Sequence, residues 1–330
     1  MAVSKGMIRA YLRLLPWRLC LIACVAALIA LNPLAARGSQ LPPEAALAME
    51  KIYSGDTPGA VAILRALQAS QPENPLPVLL EGEARWWQIY CQNSSVKYGM
   101  IDDWKRGKKP EDEEYFALAD KAIALAQAQL GKSNTAEMHF YLGSGYALKA
   151  RLFAMEGEGR AVAHAGVAAR TEYLHALEID PNYADATAGL GLYNYYVDSL
   201  SAAVKVLRFF MGIPGGDRNE GIRQMQAGID RGVLSPIPMR FYLAKNLRNF
   251  DRQYEQAVAI AEPLTVRYPQ NSVFQLLLGN LNTELGRTEK AAQYFQAATH
   301  NSLIHDTCST CSACDVRVRE IVRSFLVDQH

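Results

Sequence analysis

The sequence predicts an all-α protein, an irregular array of antiparallel helix pairs of the α-solenoid type. Three observations predict it. Apolar residues recur with a 3.6-residue period almost everywhere beyond residue 42, and no stretch shows the alternation of a half-buried strand. Helix breakers punctuate this pattern at short intervals, at Gly55, Pro72, Pro75, Gly131, Pro181, Pro214, Pro236, Pro269 and Gly286. The composition, 50% hydrophobic and 20% charged over 330 residues, is that of a globular chain with ample core.

The elements follow in order. Residues 1–18 are basic, and Leu19 to Leu31 form an unbroken apolar run of thirteen residues. That run is shorter than the roughly 20 residues that span a bilayer. Followed by Asn32-Pro33 and small residues, it reads as a secretory signal peptide cleaved near Ala36 or Gly38. The alternative is an uncleaved N-terminal membrane anchor, and either one places the bulk of the chain outside the cytosol. The first 38 residues hold five basic residues and no acid, so the rest of the chain, with 29 basic against 33 acidic residues, is mildly acidic.

Helices are expected at 43–54, 57–70 and 76–92, separated by Gly55-Asp56 and by Gln71-Pro72-Glu73-Asn74-Pro75. A charged, solvated loop at 102–110 leads into a helix at 112–130, where the acids Glu111 to Glu114 suit the positive helix end. Helices at 134–155 and 159–179 flank Gly157, and Asp180-Pro181-Asn182-Tyr183 stops the second. Next come 182–197, 199–211, 217–231, 237–249, 252–267, 271–285, 288–300 and 314–327. The chain therefore divides into a signal or anchor at 1–38, a helical repeat domain at 39–302, and a cysteine-bearing loop with a C-terminal helix at 303–330.

Paired helices call for a search for repeats. Leu278-Gly279 lies in a first helix, and Ala291, Phe295 and Ala298 follow Gly279 by 12, 16 and 19 residues. Gly and Ala let two helix backbones approach, and Phe295 fills the gap towards the next pair. The frame recurs at Leu190-Gly191 with Ala203 and Leu207, at Leu47-Ala48 with Ala60, Leu64 and Leu67, and at Leu243-Ala244 with Ala257. With Ala169, Tyr173 and Ala176 ahead of Asp180-Pro181, these residues resemble a divergent tetratricopeptide (TPR) repeat, mostly over residues 43–75 and 160–302. Pro72, Pro181 and Pro269 do not follow the family's period of roughly 34 residues, so the array is expected to be an irregular one. A weaker likeness covers residues 188–247, centred on Gly212-Ile213-Pro214-Gly215-Gly216-Asp217, which is similar to the TPR family that contains the inclusion-body-clearance protein.

The resemblance implies a concave surface, lined by the first helix of each pair, that binds an extended segment or a helix of a protein or peptide partner. Its frame places Asp185, Ala188, Leu192, Tyr195 and Tyr196 on one first helix, Phe241, Lys245, Arg248 and Asn249 on the next, and Asn280, Thr283 and Glu284 on a third. Tyr195 and Tyr196 can equally pack internally. Tyrosines beside Lys, Arg and Asn would supply contact area and polar readout.

Other chemistry is sparse. Gly212, Gly215 and Gly216 lack the spacing of a phosphate-binding loop, and Asp217 with Glu220 reads as a capping box that opens a helix. Trp86, Trp87 and Tyr90 form an aromatic stripe of the kind usually found in a core. Cys308, Cys311 and Cys314, preceded by His305, have three-residue steps that suit zinc, while in an exported chain they suit disulfides, one of them reaching Cys91, or free thiols. No catalytic motif is present, and His139, His164, His175 and His300 have no metal-ligand or triad partners at recognisable spacing. A net charge of +1 gives no sign of nucleic-acid binding. The expectation is a non-catalytic, exported scaffold without a required cofactor, zinc at the cysteines being the one candidate. The alternative is a metal or redox module at the C-terminus mounted on the helices.

Overall fold

The computed structural model describes residues 41–93, 106–202, 204–205, 208, 212–304 and 312–327. The 1–38 segment, His305, Cys308, Cys311 and the side chain of Cys314 lie outside the described residues, as do parts of the helix expected at 199–211.

Thirteen α-helices run through the described residues, and none contains a strand. They are α1 (Pro43–Ser54), α2 (Thr57–Ser70), α3 (Leu76–Asn93), α4 (Asp112–Leu130), α5 (Ala136–Glu156), α6 (Gly159–Ile179) and α7 (Ala184–Ser199). They continue as α8 (Arg218–Arg231), α9 (Pro236–Asn246), α10 (Tyr254–Arg267), α11 (Ser272–Glu284), α12 (Thr288–Ile304) and α13 (Ser312–Val327). None is long and apolar enough to cross a membrane.

Short polar side chains start these helices by accepting otherwise orphaned backbone donors. Asp56 accepts from Gly59 N, Thr135 from Met138 N, Asp217 from Glu220 N and Asn271 from Val273 N and Phe274 N. Gly55 and Gly157 end α1 and α5 in the left-handed region, at φ 91° and 80°.

Each helix packs on its neighbour in sequence, which makes the array of pairs. In the α11–α12 pair Leu278, Ala291, Phe295 and Ala298 are all buried, and a Cβ at Gly279 would lie 2.5 Å from the Phe295 ring. Only glycine lets that ring sit against the α11 backbone. At Gly191 the backbone meets Gly221 O and Met225 N of α8, each 2.8 Å from the site of a Cβ, so α7 and α8 pack closely there. Ala203 and Leu207, expected to complete a pair with Gly191, lie outside the described residues. The loop expected to be solvated differs: Arg106 and Asp112 form a 2.5 Å ion pair buried on both sides.

The largest departure from an open solenoid is α3. Fourteen of its residues are buried, on every face of the helix. It packs on α1, α2, α4, α5 and α13, and its rings reach further. Trp87 lies 4.8 Å, centroid to centroid, from Phe241 of α9 and 5.6 Å from Phe274 of α11, and it also touches Tyr53 of α1. Trp86 Nε1 donates to Tyr242 Oη at 2.6 Å. The side of the first helices that the repeat frame leaves open is thus occupied by a helix of the same chain.

The array also closes on itself. Asn271 Nδ2 donates to Tyr53 O at 2.8 Å, and Arg267 pairs with Glu50, joining α1 to α10 and α11. The C-terminal helix α13 buries Val318, Ile321 and Val322 and packs on α12, α3 and α11.

Candidate functional site

Filling the centre with α3 sorts the twelve groove positions into two sets. Asp185, Ala188, Tyr195, Phe241, Lys245 and Asn280 are buried, whereas Leu192, Tyr196, Arg248, Asn249, Thr283 and Glu284 keep accessible surface.

The buried set is structural. The Asp185 carboxylate accepts from Val233 N, Leu234 N, Ser235 N and Ser235 Oγ, at 2.6 to 3.1 Å, and so fixes the turn that enters α9. Phe241 is packed between Trp87 and Tyr90 in edge-on contacts. The Lys245 ammonium lies 5.5 Å from the Tyr90 ring centre and 5.3 Å from that of Tyr242, a cation held on two aromatic faces. An accessible groove at these positions is corrected to a packed interior, because aromatic side chains of α3 fill the space a partner would need.

The accessible set lies towards the C-terminal ends of α7, α9 and α11. Helix α9 passes at Leu247–Asp251 into a π turn, an extra residue per turn that re-aims the following side chains. Tyr195 holds this turn by donating to Asn246 O at 3.0 Å and to Asp251 Oδ2 at 2.5 Å. Arg218 pairs with Asp251 and lies over the Tyr195 ring. The turn presents Arg248, Asn249 and Phe250. Arg248 donates to Asn249 Oδ1 and to Glu284 Oε1, and Phe250 lies 6.4 Å from the Tyr196 ring. Burial lowers the pKa of Arg248, opposed by Glu284. Tyr196, Phe250, Asn249, Arg248, Glu284 and Thr283 thereby form a continuous rim of mixed aromatic and polar character.

Inward of the rim, polar groups from three helices meet. Glu83 of α3 accepts from Trp87 Nε1 at 3.0 Å and from Arg151 NH1 of α5 at 2.7 Å. The Arg151 guanidinium lies 5.6 Å from the Trp86 ring centre and 5.9 Å from that of Tyr242. Burial works against its charge, but Glu83, Tyr242 and Tyr115 together outweigh it and raise its pKa. Burial likewise pushes the Tyr242 phenol up to about 12. Glu83, Arg151 and Tyr242 were not singled out from the sequence. Glu83 and Arg151 are 68 positions apart in the chain, and no spacing in the sequence links them.

The other sequence features resolve simply. The glycine loop is a turn packed on α7: Tyr193 Oη donates to Pro214 O at 2.9 Å, Arg208 NH1 donates to Ile213 O, and Asp217 caps α8. Trp86, Trp87 and Tyr90 are core residues. His139 bonds Glu172 and Asn134, and His175 bonds Glu178. Among the described residues no group of three His, Cys, Asp or Glu could hold a metal. Cys91 at the end of α3 is disulfide-bonded.

The fold and this site define a TPR-like helical-repeat protein with a filled centre. No protein-family model matches the sequence. Among solved structures the chain is similar to an IFIT1 monomeric mutant with Gppp-AAAA, at 13% identity over 74% of this chain and 68% of that one, with a TM-score of 0.31. It is also similar to the human IFIT1 dimer with PPP-AAAA, at 12% identity over 78% of this chain and 62% of that one, with a TM-score of 0.30.

Proposed function

We propose that the protein is an exported, non-catalytic scaffold of divergent TPR type that binds a protein or peptide partner on the rim at the ends of α7, α9 and α11. The observation that carries this reading is the continuity of the rim. Tyr196 and Phe250 supply aromatic area, and Arg248, Asn249, Thr283 and Glu284 supply donors and acceptors beside it. Such a mixture suits a polypeptide, whose backbone and side chains need both kinds of contact. The side chains are held from behind by the Tyr195–Asp251–Arg218 network, so little ordering is lost on binding. Export rests on the basic and apolar segment at 1–38.

A photoreactive residue placed at Asn249 or at Thr283 tests this in cells. The expected result is one shared adduct from both positions, found in the exported fraction, absent from Val266 on α10 and lost with Tyr196→Ala. Equal labelling at Val266, or no adduct at either rim position, would contradict the reading.

A further inference from the structure

Arginines drawn into this fold sit against carboxylates: Arg106 on Asp112, Arg151 on Glu83, Arg218 on Asp251 and Arg248 on Glu284. Arg170 of α6 and Arg208 depart from that pattern, since neither pairs with an acid among the described residues. Both flank Tyr193 of α7. The Arg170 guanidinium lies 5.7 Å from the ring centre, and Arg208 NH1 donates to Ile213 O at 2.9 Å, next to the bond from Tyr193 Oη to Pro214 O. Burial raises the pKa of the Tyr193 phenol, and Arg170 and Arg208 both oppose it, so the two cations act on one hydroxyl. The Nε of each is buried without an acceptor. Gly215 completes the cluster. It is exposed, a Cβ there would lie 3.3 Å from Arg208 NH1, and its N–H has no acceptor among the described residues. The loop is held in place by Gly216, which lies against the Asn194 carbonyl of α7. Its own acid, Asp217, accepts from Glu220 N, and Asp198 accepts from Lys205 and from Arg218 N.

We infer that Arg170, Arg208 and the Gly215 N–H form a surface site for a phosphate dianion, either free or as the terminal group of a small phosphomonoester. Two guanidiniums that share one tyrosine and face no carboxylate repel each other until an anion joins them. Each guanidinium presents its donors as a planar fork, which matches the oxygens of a phosphate two at a time. A phosphate group carries a charge of about −2 and at least three acceptor oxygens, enough for both forks and a backbone N–H. A carboxylate, with one charge and two oxygens, would occupy one fork and leave the other cation uncompensated. The anion docks from solvent, because Gly215 is exposed and both arginines keep accessible surface. The glycines serve by letting the backbone and Arg208 approach each other, not as a phosphate-binding loop, whose spacing they lack. The site shares no residue with the polypeptide rim, and its failure would leave the crosslinking result above unaffected.

The full chain is titrated with inorganic phosphate and with glycerol 3-phosphate, the ionic strength being held constant with sodium chloride. At least one of the two is expected to raise the melting temperature of the wild type in a concentration-dependent way. A response to the ester assigns a phosphomonoester as the ligand, and a response to inorganic phosphate alone assigns the free ion. The Arg170 side chain makes no hydrogen bond among the described residues, so Arg170→Gln should melt no lower than the wild type without ligand. It should also need at least about tenfold more of the anion for the same rise. Should Arg170→Gln prove less stable, Arg170→Lys keeps the charge and loses the fork, and equilibrium dialysis should show it binding the anion more weakly than the wild type. A wild type that responds to neither anion beyond the chloride control would overturn the site. So would a response in Arg170→Gln equal to that of the wild type, or equal binding by Arg170→Lys in dialysis.

Discussion

At the scale of single residues, the same side chain can be a contact surface or a keystone, and only its distant neighbours decide. Asp185 sits where the repeat frame puts a groove residue, but its carboxylate collects donors from Val233, Leu234 and Ser235, about fifty positions further on. Asp185→Ala is therefore expected to cost about 3 kcal/mol or more, since several buried donors lose a charged acceptor together. Urea denaturation would show it as a lowered midpoint at unchanged slope. The tyrosines supply a second prediction. Burial is the main cause that raises the phenols of Tyr53, Tyr115 and Tyr196, and it takes Tyr242 to about 12. A folded-state pKa above the unfolded value of about 10 gives stability that is fully present below pH 10 and is lost as the pH rises through the folded values. Absorbance at 295 nm should accordingly show an early class of phenols and a late class released together with unfolding, near or above pH 12 for Tyr242. A single early class would contradict the buried assignment.

At the scale of elements, most of what decides a helix was local and could be read. The boundaries 43–54, 57–70, 112–130 and 159–179 are those of α1, α2, α4 and α6, because caps, prolines and glycines act within a few residues. One element and one contact escaped. The π turn after Asn246 has no composition of its own, and it exists because Tyr195 and Arg218 hold its backbone and Asp251 from other helices. The close packing of α8, itself expected at 217–231, on α7 rests on Gly191 meeting Gly221 O and Met225 N. The position of Lys245 follows from the same packing. Lys245→Glu puts a carboxylate against the faces of Tyr90 and Tyr242, and is expected to destabilise the fold by about 3–5 kcal/mol, seen as a lower melting temperature. A loss of partner binding in that variant would thus report unfolding, whereas the Tyr196→Ala variant of the rim reports the surface.

At the scale of the whole molecule, the repeat pattern predicted an all-α array and the structure is one, but its centre is not open. Nothing in the periodicity of residues 76–93 separates a helix at the edge of an array from one enclosed by it; the signal was its density of aromatic and aliphatic residues on all faces. Enclosure of α3 makes contacts between α1, α9 and α11 that a linear array lacks, and the Asn271–Tyr53 bond closes the loop. A linear solenoid is stabilised by nearest neighbours and can open from its ends. A closed one must open as a unit. This enclosure also fixes which residues a partner can reach, confining them to the rim of Tyr196, Arg248, Asn249 and their neighbours. Native-state hydrogen exchange on the wild type and on Trp87→Ala tests it most directly. The enclosed arrangement predicts that the slowest amides of α1 and α11 share one opening free energy, and that Trp87→Ala lowers both equally, by about 3–5 kcal/mol. Opening of α1 at a lower free energy than α11, with Trp87→Ala felt in only one of them, would contradict it.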